Sequence, residues 1–396
     1  MRNCLAGLCA ALCLTAPVWP APVVDLDAAL EAVRQEIDRP GFSGAVVVLE
    51  RGETRLAEVR GLADQSAGRR NTLETRFNIA SVGKFLTGLA FASASETVAG
   101  PPDDFLDLPA GSLLPGDADL FDADVTAGDL MGHRTTIVSF GAADGAEQRM
   151  PGLRSNADVF ELVREAQDVP VSRRRDGLAY NNSNAIVLGE IIAALHGQSY
   201  EAALRDLVLA PAGADNAVFA RQGDADALGL ALPYVDADFD MRAPMRPRGG
   251  GEAALPQTYP RLVETPLGSM ISSAAGGLYI SAQELAAVGR AALDGTLTKR
   301  DRLDRMCESL VLIPGRIFGH ACGGVELAPG IERWGHNGGA PGINAELALY
   351  PQLDVVLVVL SNHNGRAGPV LAAFEAALAE QRTQERHSNG FIIRGE

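Results

Sequence analysis

The chain has 396 residues, 47% hydrophobic and 21% charged, with no low-complexity tract, a globular composition that excludes a disordered or fibrous chain and supplies enough apolar material for a large core. Fifty acidic against 34 basic side chains leave a formal net charge of −16, which argues against nucleic acid or an anionic membrane surface as a partner. The length permits two or three domains, or one large domain carrying an insertion.

Residues 1–21, MRNCLAGLCAALCLTAPVWPA, read as a signal peptide: one Arg, then an apolar run from Cys4 to Ala16 too short to span a bilayer, then Pro and Ala. Cleavage is expected between Ala16 and Ala21, placing the mature chain in the periplasm or outside the cell, with membrane contact only through the leader. A lipoprotein anchor at Cys9 or Cys13 is the weaker alternative, because the bulky Leu8 and Leu12 stand where a small residue is expected. Three of the five cysteines leave with the leader. Cys307 and Cys322 remain, either as a disulfide or as buried thiols.

Residues 25–37, DLDAALEAVRQEI, carry apolar positions at helical spacing, and GFSGAVVVLERGETRLAEVRG follows as two strand-like runs around the turn Arg51–Glu53. Next comes FNIASVGKFLTGLA, residues 77–90, with Ser81 and Lys84 three apart at the start of a buried helix. Positions i and i+3 share a helix face, so the amine can approach the hydroxyl. A serine needs a neighbouring base to act as a nucleophile, and a lysine desolvated by Val82, Phe85, Leu86 and Leu89 can provide one. A capping serine beside a snorkelling lysine fits the same four letters.

Residues 101–264 alternate short amphipathic stretches, NADVFELVREA and SNAIVLGEIIAALHG among them, with Pro, Gly and Asp clusters such as RAPMRPRGGGEAALPQ. They read as a mainly helical insertion subdomain between two parts of an α/β sheet domain, residues 22–100 and 265–396. Within the insertion, Tyr180 and Asn182 stand two apart just before an amphipathic helix. Tyr180 offers a proton relay, its phenol easier to ionise beside a cationic amine, and Asn182 offers a donor and an acceptor for a substrate amide. YNNSN is equally a run of turn and capping residues. After residue 265, GGLYISAQELAAVGRAAL reads as a strand or turn entering a helix, AELALYP and DVVLVVLSN as paired strands, and GPVLAAFEAALAEQ as a closing helix. Between them His336, Asn337 and Gly338 precede a Gly-rich turn whose backbone N–H groups can approach a bound anion; a flexible loop with a surface histidine is the plain alternative. Strands at both chain ends around a helical block imply an α+β fold with one antiparallel sheet completed by both termini.

SVGK at 81–84, YNN at 180–182 and HNG at 336–338, in that order, resemble the three motifs of the serine β-lactamase and penicillin-binding-protein superfamily, especially its class C-like branch of esterases, D-aminopeptidases and D-alanyl-D-alanine carboxypeptidases. TRFNIASVGKFLTGLA, TAGDLMGHRTTI, AAGGLYISAQELAAVGRAAL and NAELALYPQLDVVLVVLSN also look like family segments, so nearly the whole mature chain is covered. The resemblance implies a β-lactamase/transpeptidase-like fold, with Ser81 the acylated nucleophile and Lys84 and Tyr180 sharing its proton. It further implies Asn182, His336, Asn337 and Gly338 at the substrate and an oxyanion hole from the N–H groups of Ser81 and Gly339. His336 is expected to hydrogen-bond Tyr180 or contact the substrate.

Two departures matter. His336 stands where enzymes that act on penicillins usually keep a lysine, and it is largely neutral near pH 7, which favours esters or D-configured amides over β-lactams. In MGHRTTI, Thr135 and Thr136 replace the usual Ser-Gly pair, and His133 is given a structural role. The six histidines (133, 196, 320, 336, 363, 387) are scattered without zinc spacing, with His196 and His387 read as surface or terminal residues. GGAPG and RGGGE lack the strand-to-helix context of a phosphate loop, and no G-x-S-x-G elbow is present. No metal or cofactor is called for. The expectation is a serine hydrolase cleaving a small ester, amide or peptide through a Ser81 acyl-enzyme. The alternative is a catalytically silent relative that binds a peptide or peptidoglycan fragment.

Overall fold

The computed structural model describes residues 24–98, 104–220, 224–235, 273–309, 311–313 and 316–390. The expected leader (residues 1–21) and the expected loop RPRGGGEAALPQTYP (246–260) lie outside the described residues.

Leu26, Ala29, Leu30, Val33 and Ile37 recur at helical spacing and form the buried face of α1 (Leu26–Ile37), whose N-terminus is capped by the Asp25 carboxylate accepting from the Asp27 N–H. The strands β1 (Gly44–Glu50) and β2 (Glu53–Arg60) follow as the expected hairpin. Its two turn residues, Arg51 and Gly52, both take positive φ, 51° and 81°, the geometry that matches the right-handed twist of the flanking strands. The chain then forms α2 (Gly83–Ala94), α3 (Ala127–Met131), α4 (Asn156–Glu165) and α5 (Asn182–His196). Capping boxes start α3 (Thr126 with Asp129) and α4 (Ser155 with Asp158). The chain then passes through α6 (Ala282–Leu293) and α7 (Arg300–Cys307) to β3 (Gly323–Ala328), β4 (Ile331–Ala340), β5 (Ile343–Tyr350), β6 (Val355–Ser361) and α8 (Ala367–Gly390).

These six strands form one antiparallel sheet in the order β2-β1-β6-β5-β4-β3. The first strand pairs with the last, Gly44 opposite Ser361 through to Glu50 opposite Val355, so both chain ends complete the sheet. Seven consecutive buried residues make β6 a central strand covered on both faces. Val47, Leu347, Leu349, Val356, Val358 and Leu360 point into the larger core, shared with α2 and α6. Val46, Val48, Ala348, Tyr350, Leu357 and Val359 point the other way, against α1 and α8. At Gly289 of α6 an added Cβ would lie 2.9 Å from the Leu349 and Val356 side chains, so the glycine lets the helix sit directly on the sheet.

Cys307 at the end of α7 and Cys322 just before β3 form a disulfide, which decides between the two states that the sequence leaves open. His336, Asn337 and Gly338 precede the turn as expected, but they lie inside β4 and not in a flexible loop, paired with β5 from Trp334 opposite Leu349 to Ala340 opposite Ile343. Glycine lowers strand propensity, yet its backbone still bonds in the ladder, and a full-length partner strand outweighs the local preference. The turn itself is shorter, at Pro341 and Gly342.

Candidate active site

Ser81 sits in a 3-10 turn, Ala80–Val82, that runs directly into α2, and Lys84 is the second residue of that helix. Two strand fragments, Phe77–Asn78 and Tyr279–Ile280, pair just before the turn, and the Ile79 N–H bonds the Leu278 carbonyl at 3.0 Å. Ala80 is held at φ 42°, a left-handed conformation uncommon for a residue with a side chain. Its N–H is fixed by the Asn78 side chain at 2.8 Å and its carbonyl by the Gly277 N–H at 3.1 Å. Glycines wall this turn on two sides. A Cβ on Gly276 would lie 2.1 Å from the Ala80 oxygen, and one on Gly338 would lie 2.1 Å from the Ile79 oxygen. The backbone therefore closes around Ser81 only because those positions are bare.

Lys84 is buried, 2% exposed. Its Nζ lies 3.1 Å from Ser81 Oγ and donates to the Ala275 carbonyl at 2.5 Å. Among the described residues no carboxylate answers its charge, and burial pulls its pKa from 10.5 down to about 7. The amine is thus neutral for about half of the molecules near pH 7, with a lone pair available next to the hydroxyl.

Tyr180 reaches the same oxygen from the other side, its Oη donating to Ser81 Oγ at 2.9 Å, and Lys84 Nζ lies 5.1 Å from the centre of its ring. Tyr180 keeps 41% of its surface exposed, yet the expected ease of ionisation is corrected here: partial desolvation by its neighbours raises the phenol above its ordinary value, against the smaller opposing effect of the Ser81 bond. The reason is that Lys84, itself discharged by burial, does not supply the cation that expectation required. Asn181 caps α5, its side chain accepting from the Ser183 N–H. Asn182 is the first residue of that helix and is exposed, with no side-chain hydrogen bond among the described residues.

On β4, His336 and Gly338 share one face by the alternation of the strand, and Gly338 packs on Ile79 and Ala80, so the His336 ring is on the Ser81 side of the sheet. Its Nδ1–H donates to the Asn337 carbonyl at 2.5 Å, leaving Nε2 as the ring's acceptor. Burial first, then the Lys84 amine, holds the imidazole neutral, its pKa down to about 4. Asn337 and Gly339 are exposed on the alternate face positions, with Gly339 opposite Asn344.

The other histidines are apart from this constellation, except one. His196 pairs with Asp206 at 3.0 Å, His363 bonds the Gly41 carbonyl at 2.9 Å, and the His387 side chain lies outside the described residues. His133, read from the sequence as structural, packs its ring on Tyr180 with centroids 4.3 Å apart. The sequence reading also misses the supports of Lys84. Asn156 of α4 accepts from the Ala274 N–H at 3.0 Å, and the Thr87 hydroxyl bonds the Ala274 carbonyl at 2.8 Å, fixing the strip that carries the Ala275 oxygen. Only the glycine pair in AAGG hinted that backbone had to pass close by. No group of His, Cys, Asp or Glu among the described residues is arranged to hold a metal ion.

An antiparallel sheet closed by both chain ends, with a Ser-x-x-Lys turn between the sheet and a helical block, defines a protein of the β-lactamase/transpeptidase-like fold. The chain belongs to the beta-lactamase family, whose family model matches residues 26–381. Esterase EstB of Burkholderia gladioli is 26% identical over 409 residues, covering 92% of this chain and 99% of its own. Among solved structures, a penicillin-binding protein from Bacillus halodurans superposes with TM-score 0.69 at 20% identity, over 87% of this chain and 98% of that one. The D-amino acid amidase of Ochrobactrum anthropi SV3, complexed with D-phenylalanine, gives 0.67 at 20% identity, over 89% and 99%.

Proposed function

We propose that the protein is a serine hydrolase that cleaves a small ester, or an amide of D-configured or small acyl type, through an acyl-enzyme on Ser81. The observation that carries the reading is the pair of contacts on one hydroxyl: Lys84 Nζ at 3.1 Å and Tyr180 Oη at 2.9 Å from Ser81 Oγ. Lys84, with its pKa at about 7, accepts the Ser81 proton as Oγ attacks the carbonyl, and the proton reaches the leaving group through the Tyr180 hydroxyl. Tyr180 serves as a phenol, since partial desolvation raises its pKa. The N–H groups of Ser81 and Gly339 receive the charge that develops on the carbonyl oxygen. Lys84 and Tyr180 then activate the water that releases the acyl group. Asn182, His336 and Gly338 hold the substrate, whereas Asn337 lies on the alternate face of β4. The neutral His336 gives a substrate carboxylate no fixed cation, which disfavours β-lactams. The printed names of EstB and of the D-amino acid amidase agree with ester or amide cleavage. We place the mature protein in the periplasm or outside the cell. The apolar leader supports that placement, as does the Cys307–Cys322 disulfide, a bond that persists in oxidising compartments.

The test treats the purified mature protein with a fluorophosphonate probe and p-nitrophenyl acetate beside Ser81→Ala. Labelling and turnover are expected to vanish together in the variant while its circular dichroism is unchanged. A folded wild-type protein that neither labels nor turns over would instead favour a silent relative that binds a peptide or peptidoglycan fragment.

A further inference from the structure

His133, two residues past the end of α3, takes a left-handed conformation, φ 54°, rare for a residue with a side chain. That twist turns its carbonyl and its ring toward the same stretch of chain. The carbonyl accepts from the Ala179 N–H at 2.9 Å, and the ring lies against Tyr180 at 4.3 Å between centroids and 39° between planes. Nδ1 accepts from the Asn181 N–H at 3.3 Å. One residue thus grips three consecutive residues, and the middle one carries the phenol that touches Ser81. Next to it, Thr135 Oγ1 donates to Asn184 Oδ1 at 2.6 Å, tying the same strip to the first turn of α5.

We propose that His133 is a positioning residue that holds the Tyr180 phenol against Ser81. The proposal rests on the reading above, in which Tyr180 relays a proton. An aromatic face limits the phenol's swing, and the Nδ1 acceptor fixes the backbone on the far side of Tyr180, so the hydroxyl is presented in one orientation before substrate arrives. The grip needs a neutral ring, because a protonated Nδ1 would point a hydrogen at the Asn181 N–H. Burial keeps it neutral, with the facing Lys84 amine and His336 ring acting in the same direction, and its pKa falls to about 3. His133 therefore remains an acceptor throughout the pH range in which Lys84 titrates.

The test is His133→Asn, since Asn tolerates a left-handed backbone, made in wild-type and Tyr180→Phe backgrounds. In the wild-type background kcat for p-nitrophenyl acetate is expected to fall roughly tenfold to a hundredfold with little change in KM. In Tyr180→Phe it should cost nothing further, because an effect exerted through a lost group disappears with it. Tyr180 is also read directly, from the ultraviolet titration difference between each protein and its Tyr180→Phe counterpart. His133→Asn should free the phenol from its fixed position beside Ser81 and lower its titration toward that of an ordinary tyrosine. Equal losses in both backgrounds, or an unmoved Tyr180 titration, would overturn the proposal. Should wild type and Ser81→Ala turn over ester equally, the hydrolase reading fails, and the titration still decides the role of His133. His133→Gln is carried in parallel, so a folding failure of one variant leaves the other to decide.

Discussion

Lys84 shows how one residue links chemistry to stability. Its amine is buried with no carboxylate partner among the described residues, and its pKa falls from 10.5 to about 7. Between those two pH values the unfolded chain keeps a proton that the folded protein has lost, so folding becomes more favourable as pH rises from about 7 to about 10.5. Below pH 7 the folded protein holds the charge at full desolvation cost. Lys84→Met, of similar length and no charge, is expected to raise Tm most at pH 6 and hardly at all near pH 10.5. The same variant should lose roughly 10²–10⁴-fold in ester turnover. In wild type, kcat/KM should climb with pH through an apparent pKa near 7, as the amine becomes a base. Thermal melts at pH 6 and pH 10 check the first claim: a Tm difference equal at both would mean that Lys84 is not desolvated.

Between elements, the sheet and α8 enclose a second buried titratable group. Glu346 is buried in β5, on the face turned to α1 and α8, and burial raises its carboxyl to about 8, with Arg333 opposing and Glu375 adding. A raised carboxyl pKa means that the folded protein binds the proton more tightly than the unfolded chain. Its contribution is therefore fully present below about pH 4.5 and lost as pH rises through about 8. Glu346→Gln should leave the urea midpoint nearly unchanged at pH 5 and raise it above wild type at pH 9; a lower midpoint at pH 9 would refute this. The sequence did not reveal Glu346, because ELALY reads as ordinary strand alternation and nothing local says that both faces are covered. Elements whose signal is local were legible: the spacing of α1, the Arg51–Gly52 hairpin and the all-apolar β6. Ser81 and Lys84 were legible too, since a turn of helix is enough to bring them together. The register of His336 in β4 and the grip of His133 on Tyr180 depend on partners far along the chain, and local propensity carries no trace of them.

At the scale of the whole molecule, two cores lie back to back on one sheet, and the sheet is closed by pairing residues more than 300 positions apart. Such long-range closure is entropically expensive to organise, so a cross-link acts mainly on the unfolded chain. The Cys307–Cys322 bridge spans 15 residues, and removing it should cost about 3 kcal/mol by loop entropy. Its position decides what else is lost. The bridge tethers α7 to the approach of β3, where the Ala321 N–H bonds the Met131 carbonyl at 3.2 Å at the end of α3. It touches neither Ser81, Lys84 nor Tyr180. Cys307→Ser with Cys322→Ser is therefore expected to lower stability by about that amount in urea, with little change in ester turnover at 25 °C. A marked loss of turnover in the still-folded variant would show that the bridge holds α3, and through it His133, in place for the site.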